Sequence, residues 1–440
     1  MNEKLAGHSP SELVLLRRWQ LSTFWVCLIG YIGYYLCRKN LSAAIPLISD
    51  TFGYSNSDLG LIALYSEFAY ALGKFINGPL GDKIGGKKIF LIGMLGAMAS
   101  NFLFSLGSNL IYFIIIWCVC RYFLSMGWGG LTKMIGNWYP PEKNGTIMGF
   151  ISLSFQFGGV LSTLFAGYLV AVGATWQEIF IYPPLVLLII FILSILFSKD
   201  NPQQIFANTR FGKGDKKHQA VVSSKLKKDD HKGHPLDIVK DLLSLALFRK
   251  LLVYSFLTTF LRSIFFFWTP KLLVDIGMGT TNAILKSALF PFLGCIGTIF
   301  LGWYTDNHAK NGDRAKMMWI MLSGLVISLG LISFQLSLDQ YNQNVIVILL
   351  GLCGLFLLGP YSMSSGCLTL DIAGPEAAGS STGLIDGLGY IGGALAVWSA
   401  GLLSDILGWG QVFMFLCLCA ALATFSAYLM SQEFQRRAKA

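Results

Sequence analysis

Gly78-Pro79-Leu80-Gly81-Asp82-Lys83-Ile84-Gly85-Gly86-Lys87-Lys88 is a compact polar stretch set between two long apolar runs, 58–80 and 88–107. Its glycines let two helices approach closely, Asp82 is suited to cap a helix N-terminus, and the basic end belongs on the face of a membrane where Lys and Arg gather. A solvated turn leaves this order of glycines and charges unexplained. A degraded copy, Gly302-Trp303-Tyr304-Thr305-Asp306 followed by Arg314 and Lys316, stands in the second half of the chain. Two copies at matching places indicate an internal duplication.

The runs on either side extend the pattern. Apolar segments of spanning length lie near 21–41, 58–80, 88–107, 110–134, 146–171, 178–198, 250–274, 284–304, 316–335, 344–369, 380–404 and 410–431. Six precede a long polar segment and six follow it. The 440 residues are 54% hydrophobic and 13% charged, with mean hydropathy +0.60. A soluble domain carries about 25% charged residues. The expected fold class is therefore an all-α integral membrane protein with twelve transmembrane helices in two pseudo-symmetric six-helix bundles. The expected divisions are an N-terminus over 1–20, a first bundle over 21–198, a basic linker over 199–247, a second bundle over 248–432 and a tail over 433–440.

Charge serves topology. Lys and Arg collect at Lys4, Arg17 and Arg18, at Lys83, Lys87 and Lys88, in the linker, at Lys310, Arg314 and Lys316, and at Arg436, Arg437 and Lys439. The alternate loops hold only Lys271 and Lys286. The positive-inside rule puts both termini and the linker in the cytoplasm, and it accounts for the net charge of +10 without a nucleic-acid partner. Short loops and the absence of a cleavable signal or targeting segment suggest a bacterial inner membrane. The nine cysteines all fall inside the apolar runs and read as small apolar fillers. The linker's His218, His231 and His234 read as part of a solvated tract, Leu236 to Leu247 as an interfacial amphipathic helix, and Ser55-Asn56-Ser57-Asp58 as the cap of the second span. No cofactor or metal is expected.

The first span closes on Tyr31-Ile32-Gly33-Tyr34-Tyr35-Leu36-Cys37-Arg38-Lys39-Asn40. Tyr31, Tyr35 and Arg38 sit at i, i+4 and i+7, so one helical face offers two phenols and a permanent cation, a set suited to an oxyanion. The seventh span carries Arg262. The second carries Glu67, Tyr70 and Lys74; the fourth Arg121 and Gly127-Trp128-Gly129-Gly130; the fifth Gln156 and Gly158-Gly159; the eleventh Asp386 and Tyr390, one turn apart. Arg121 reads equally as a third substrate cation or as half of a structural ion pair, and Lys74 is a candidate partner for Glu67. All five histidines lie outside the spans, so a histidine relay is not expected; Glu67, Asp371 or Asp386 remain able to carry protons.

The loop at 78–88 resembles the one between the second and third helices of the major facilitator superfamily. Further stretches resemble the organophosphate:phosphate antiporter family, which includes the bacterial glycerol-3-phosphate and hexose-6-phosphate transporters. They are Tyr34-Tyr35-Leu36-Cys37-Arg38-Lys39, Gly73-Lys74-Phe75-Ile76-Asn77-Gly78, Met126-Gly127-Trp128, Leu261-Arg262, Trp268-Thr269-Pro270, Gly359-Pro360-Tyr361 and Gly387-Leu388-Gly389-Tyr390-Ile391-Gly392-Gly393. The resemblance spans the chain in the right order. It implies the major facilitator fold and exchange of an organophosphate for inorganic phosphate, with Arg38 and Arg262 as phosphate ligands and Lys74, Tyr31, Tyr35 and Tyr390 as further binding residues. Arg121, Gln156 and Asp386 complete the candidate set, and Gly78, Asp82, Lys83, Asp306 and Arg314 are the candidate gating residues of the two loop copies.

The sequence also departs from that family. Phe155 or Gln156 stands where bacterial members have a histidine, Gly129-Gly130 follow Trp128 in place of two prolines, and Phe266-Phe267 replace an aspartate. An acidic residue near Pro291 is missing, and Arg121 and Asp386 are additions. Two other functions stay open: a carrier for another small organic anion, such as a polycarboxylate or carboxylate siderophore, proton-coupled through Asp386 or Glu67; and a transporter-like sugar-phosphate sensor using the linker as its contact surface. An enzyme is not expected, since no nucleophile–base constellation, metal set or phosphate-cradling loop is present. A monomer is expected.

Overall fold

The computed structural model describes residues 10–139, 141–205, 243–308, 313–364, 368 and 378–437. They form fourteen α-helices: α1 Pro10–Phe52, α2 Asn56–Ile84, α3 Gly86–Phe104, α4 Leu110–Leu124, α5 Met126–Trp138, α6 Pro141–Ala171, α7 Glu178–Phe197, α8 Ala246–Asp275, α9 Thr280–Ser287, α10 Leu289–His308, α11 Ala315–Leu336, α12 Gln343–Ser364, α13 Ala378–Leu407 and α14 Trp409–Arg437. With α4 and α5 joined through Ser125, and α9 running into α10, twelve helical segments are long and apolar enough to cross a membrane. The linker residues 206–242, with His218, His231, His234 and most of the expected interfacial helix, lie outside the described residues, as does Asp371.

The first span is longer than the sequence suggests. It does not end at Arg38-Lys39 but continues to Phe52, and only three residues separate it from α2. Two things carry it through. Asn40 is satisfied inside the bundle by the Asn101 side chain (2.5 Å), so it does not break the helix. Beyond it Leu41, Ala43, Ala44, Ile45 and Ile48 are all buried, which continues the apolar face. The start of α2 is as read: Ser55 and Asp58 form a reciprocal capping box.

Within the first half α1 packs on α6 and α7, and α2 on α4. Within the second, α10 packs on α12, α11 on α14 and α8 on α13. The halves meet where α2 runs along α13, α1 along α8, and α6 against α9 and α10. Large apolar side chains such as Ile189, Leu196 and Phe197 of α7 are exposed, the surface a span presents to lipid.

The loop at 78–88 works by close approach. Gly85 turns the chain at φ +99, and a Cβ on Gly86 would sit 2.8 Å from the Gly130 carbonyl oxygen. The first turn of α3 is held by Asp200, whose carboxylate accepts the Lys87 backbone N–H at 2.7 Å. Asp313 repeats this in the other half: it accepts the Lys316 N–H at 3.1 Å and the Ser431 hydroxyl at 2.6 Å. In both halves a carboxylate ties the third span to the sixth. Gly78 stands on α2, and the side chains of Asp82 and Asp306 lie outside the described set. Lys83 is exposed, and Arg314 donates to Thr305 Oγ1 at 3.2 Å.

Candidate functional site

Where α1, α2, α4 and α8 converge lies a small cavity of about 60 Å³ that opens to solvent. Tyr35, Arg38 and Lys39 of α1, Glu67 of α2, Arg121 of α4, and Arg262 and Phe266 of α8 line it. It is thus built from both halves.

The face of α1 forms as its spacing requires. Tyr31 and Tyr35 have ring centroids 5.7 Å apart, and the Arg38 guanidinium lies 5.3 Å from the Tyr35 ring. Glycines hold this face in place. A Cβ on Gly158 of α6 would come within 2.8 Å of Tyr35, and one on Gly127 of α5 within 2.9 Å of Tyr34. Tyr31 is packed behind Tyr35 against Trp128, 5.2 Å between centroids, rather than in the cavity wall.

The five cations differ in their partners. Arg121 is buried and ion-paired with Glu67. Lys74 lies at 3.7 Å from Asp386, with the Tyr70 and Tyr390 rings at 5.5 and 5.1 Å. Glu67 is not the partner of Lys74, because seven residues along a helix separate them by about 10 Å. Arg38, by contrast, donates to the Tyr70 hydroxyl at 3.3 Å and stacks on the Tyr70 ring at 4.7 Å. Arg262 lies between the Phe266 and Tyr361 rings, 4.7 and 4.6 Å away, and its buried Nε has no hydrogen-bond partner. Among the described residues neither Arg38 nor Arg262 has a carboxylate partner.

Lys39 is the residue that sequence reasoning passed over. Its ammonium donates to the Phe266 backbone carbonyl of α8 and lies 4.2 Å from the Phe266 ring centroid. Pro270 explains the carbonyl. Proline has no N–H to give to the carbonyl four residues back, so Phe266 O is left free within its own helix. Tyr70 was read as one residue of the second span; it is the hub, with Arg38, Lys74 and Arg121 all stacked on its ring. Its place at i+3 from Glu67 and i−4 from Lys74 was the available signal. Gln156 lies outside the cavity wall and donates to Thr298 Oγ1 of α10 at 2.9 Å, a bond between the halves.

Residues 27–397 match the family model of the Major Facilitator Superfamily. The chain belongs to that superfamily. A probable hexose phosphate transport protein of Chlamydia trachomatis is 26% identical over 94% of this chain and 92% of that protein. A glycerol-3-phosphate transporter of Bacillus subtilis is 27% identical over 92% and 91%. The membrane sensor protein UhpC of Escherichia coli is 24% identical over 92% and 90%. Among solved structures, a D-xylose-proton symporter superposes with TM-score 0.72 at 13% identity, over 94% of this chain and 97% of that one. The superfamily fold of two six-span halves is the one described above.

Proposed function

We propose that this superfamily member exchanges an organophosphate, a sugar or glycerol phosphate, for inorganic phosphate by alternating access. One observation carries the reading: Arg38 and Arg262, from opposite halves, line a single cavity and lack carboxylate partners among the described residues, while neighbouring Arg121 and Lys74 have them. An arginine cannot shed its proton at working pH, and within a membrane it costs about 3 kcal/mol or more. Two facing one cavity repel. A phosphate with close to two negative charges relieves this and offers each guanidinium two oxygens. The full-length similarity to hexose phosphate and glycerol-3-phosphate transporters supports the same solute class.

Because the ligand bridges the halves, their closure around it requires an anion. Exchange then needs no separate coupling ion. Tyr35 lines the cavity beside the arginine pair, while Tyr70, which stacks on Arg38, together with Lys74 and Tyr390 stands behind that wall. In this reading the basic loops and both termini face the cytoplasm by the positive-inside rule, and the protein works as a monomer in a bacterial inner membrane. In proteoliposomes loaded with phosphate, the protein takes up labelled phosphate, and Arg38→Lys or Arg262→Lys abolishes uptake while the variant still elutes as a folded monomer. Full exchange by either variant, or uptake driven by a pH gradient without internal phosphate, rejects the mechanism; the second outcome points to the proton-coupled carrier.

A further inference from the structure

Arg38 and Arg121 compete for one carboxylate. Both guanidinium groups stack on the Tyr70 ring, at 4.7 and 4.5 Å. Glu67 lies one turn from Tyr70 on α2 and lines the same cavity as both arginines. It takes Arg121. Were it to take Arg38 instead, the first half would lose the cation it offers to a phosphate. The outcome depends on how α1 and α4 are turned toward each other.

Behind the cavity wall four helices meet on two fully buried asparagines, Asn40 of α1 and Asn101 of α3. Asn101 Nδ2 donates to the Cys37 carbonyl of α1 at 3.2 Å, to the Ala97 carbonyl of its own helix at 2.8 Å and to Cys120 Sγ of α4 at 3.4 Å. Its Oδ1 accepts from Asn40 Nδ2 at 2.5 Å, and the same Nδ2 reaches the Ile179 carbonyl of α7 at 3.3 Å. Asn40 Oδ1 accepts the Leu41 backbone N–H at 3.0 Å. Asn101 therefore grips α1 at the residue before Arg38 and α4 at the residue before Arg121. Successive side chains of a helix are about 100° apart, so fixing Cys37 and Cys120 fixes where both guanidinium groups point.

We propose that Asn101 is a positioning residue: it holds α1 and α4 in the phase in which Glu67 pairs with Arg121, and so keeps Arg38 free for the anion. This rests on the exchange reading above and goes beyond the cavity wall to what sets it. Bonds between membrane helices are commonly plain glue of small worth. Here the same side chain is bonded beside both competing arginines, which glue does not require.

Inorganic phosphate titrated into the purified full-length protein, well below its unfolding temperature, separates positioning from glue. Asn101→Ala weakens phosphate binding about tenfold, the order of effect carried through a packed network without ligand contact. Asn101→Ser is the milder variant if Asn101→Ala does not fold; its hydroxyl bonds back to its own helix, as Ser100 does to the Gly96 carbonyl, and it weakens binding likewise. In a protein carrying both Glu67→Gln and Arg121→Gln no carboxylate is left to capture Arg38, and adding Asn101→Ala changes phosphate affinity less than about twofold. A lower unfolding temperature with unchanged phosphate affinity makes Asn101 glue and overturns the inference. Equal weakening with and without Glu67 overturns the competition it rests on. A Glu67→Gln, Arg121→Gln protein that binds no phosphate puts Arg121 itself on the anion, which also overturns it while the exchange reading stands. A wild-type protein that binds no phosphate ends the exchange reading, and this inference with it.

Discussion

Glu67 holds the buried Arg121 in place, and breaking that pair is more damaging than never having it. Arg121 is only 3% exposed, so a guanidinium deprived of its carboxylate stays in the interior uncompensated. Glu67→Gln is expected to cost about 3–5 kcal/mol and to lower the unfolding temperature in detergent clearly. Glu67→Gln with Arg121→Gln removes both charges and recovers most of the loss. Equal destabilisation by single and double variants would mean that the pair is not what holds α2 to α4. How much of this was legible differs by residue. The Arg38 face could be read because i, i+4 and i+7 are local spacings. Lys39 could not. It is one step off that face, and its role depends on a carbonyl freed by Pro270, on a helix 227 residues away in the chain. Whether Arg121 or Lys74 would take Glu67 was open in the sequence for the same reason: the choice is made by packing between helices.

Helix contacts in the second half are set by absent side chains. A Cβ on Gly297 of α10 would run into the Leu355 carbonyl oxygen, and one on Gly354 of α12 into that of Phe290. Both neighbours are backbone, so nothing flexible can move aside, and the two helices touch along small residues as membrane helices commonly do. Gly354→Ala is therefore expected to destabilise, lowering the unfolding temperature by several degrees. Gly330→Ala is the control. Nothing lies within 4 Å of the added methyl, and replacing a helical glycine gains about 0.5–1 kcal/mol. Its unfolding temperature is expected to rise slightly or stay level, and a fall matching that of Gly354→Ala would refute the packing argument. At this scale hydropathy gave the spans well, because length and apolarity are what a bilayer demands. It failed at the end of α1, where Asn40 looks like a boundary in sequence but finds Asn101 in the interior.

Across the whole molecule, the duplication was readable from its two loop copies, but the bonds between the halves were not, since they join residues far apart in the chain. One set lies at the start of α2. The local cap, Ser55 with Asp58, was visible in the sequence. The carboxylate that completes it was not: Asp405, at the end of α13, accepts the backbone N–H groups of Asn56 at 3.1 Å and Ser57 at 2.7 Å and the Ser57 hydroxyl at 2.6 Å. The Asn56 side chain adds a bond to Ser404 at 3.0 Å. A negative charge on the exposed N–H groups of a helix start is favourable twice over, through hydrogen bonds and through the helix dipole. Here that charge belongs to the other half, so the cap doubles as a clasp on one end of the cavity. Losing it should cost about 1–2 kcal/mol, enough to raise the population open at that end by roughly tenfold. Asp405→Ala in a cysteine-free background, with one cysteine placed at Ala63 in the cavity wall, is expected to label faster with a membrane-impermeant maleimide added from the Asp405 side. Asp405→Glu, which keeps the charge, should label more slowly than Asp405→Ala. Labelling at the same rate in all three proteins would mean that the halves are held together elsewhere, at the level of Lys39 and Ser42, whose bonds to the Phe266 and Phe267 carbonyls cross the same divide.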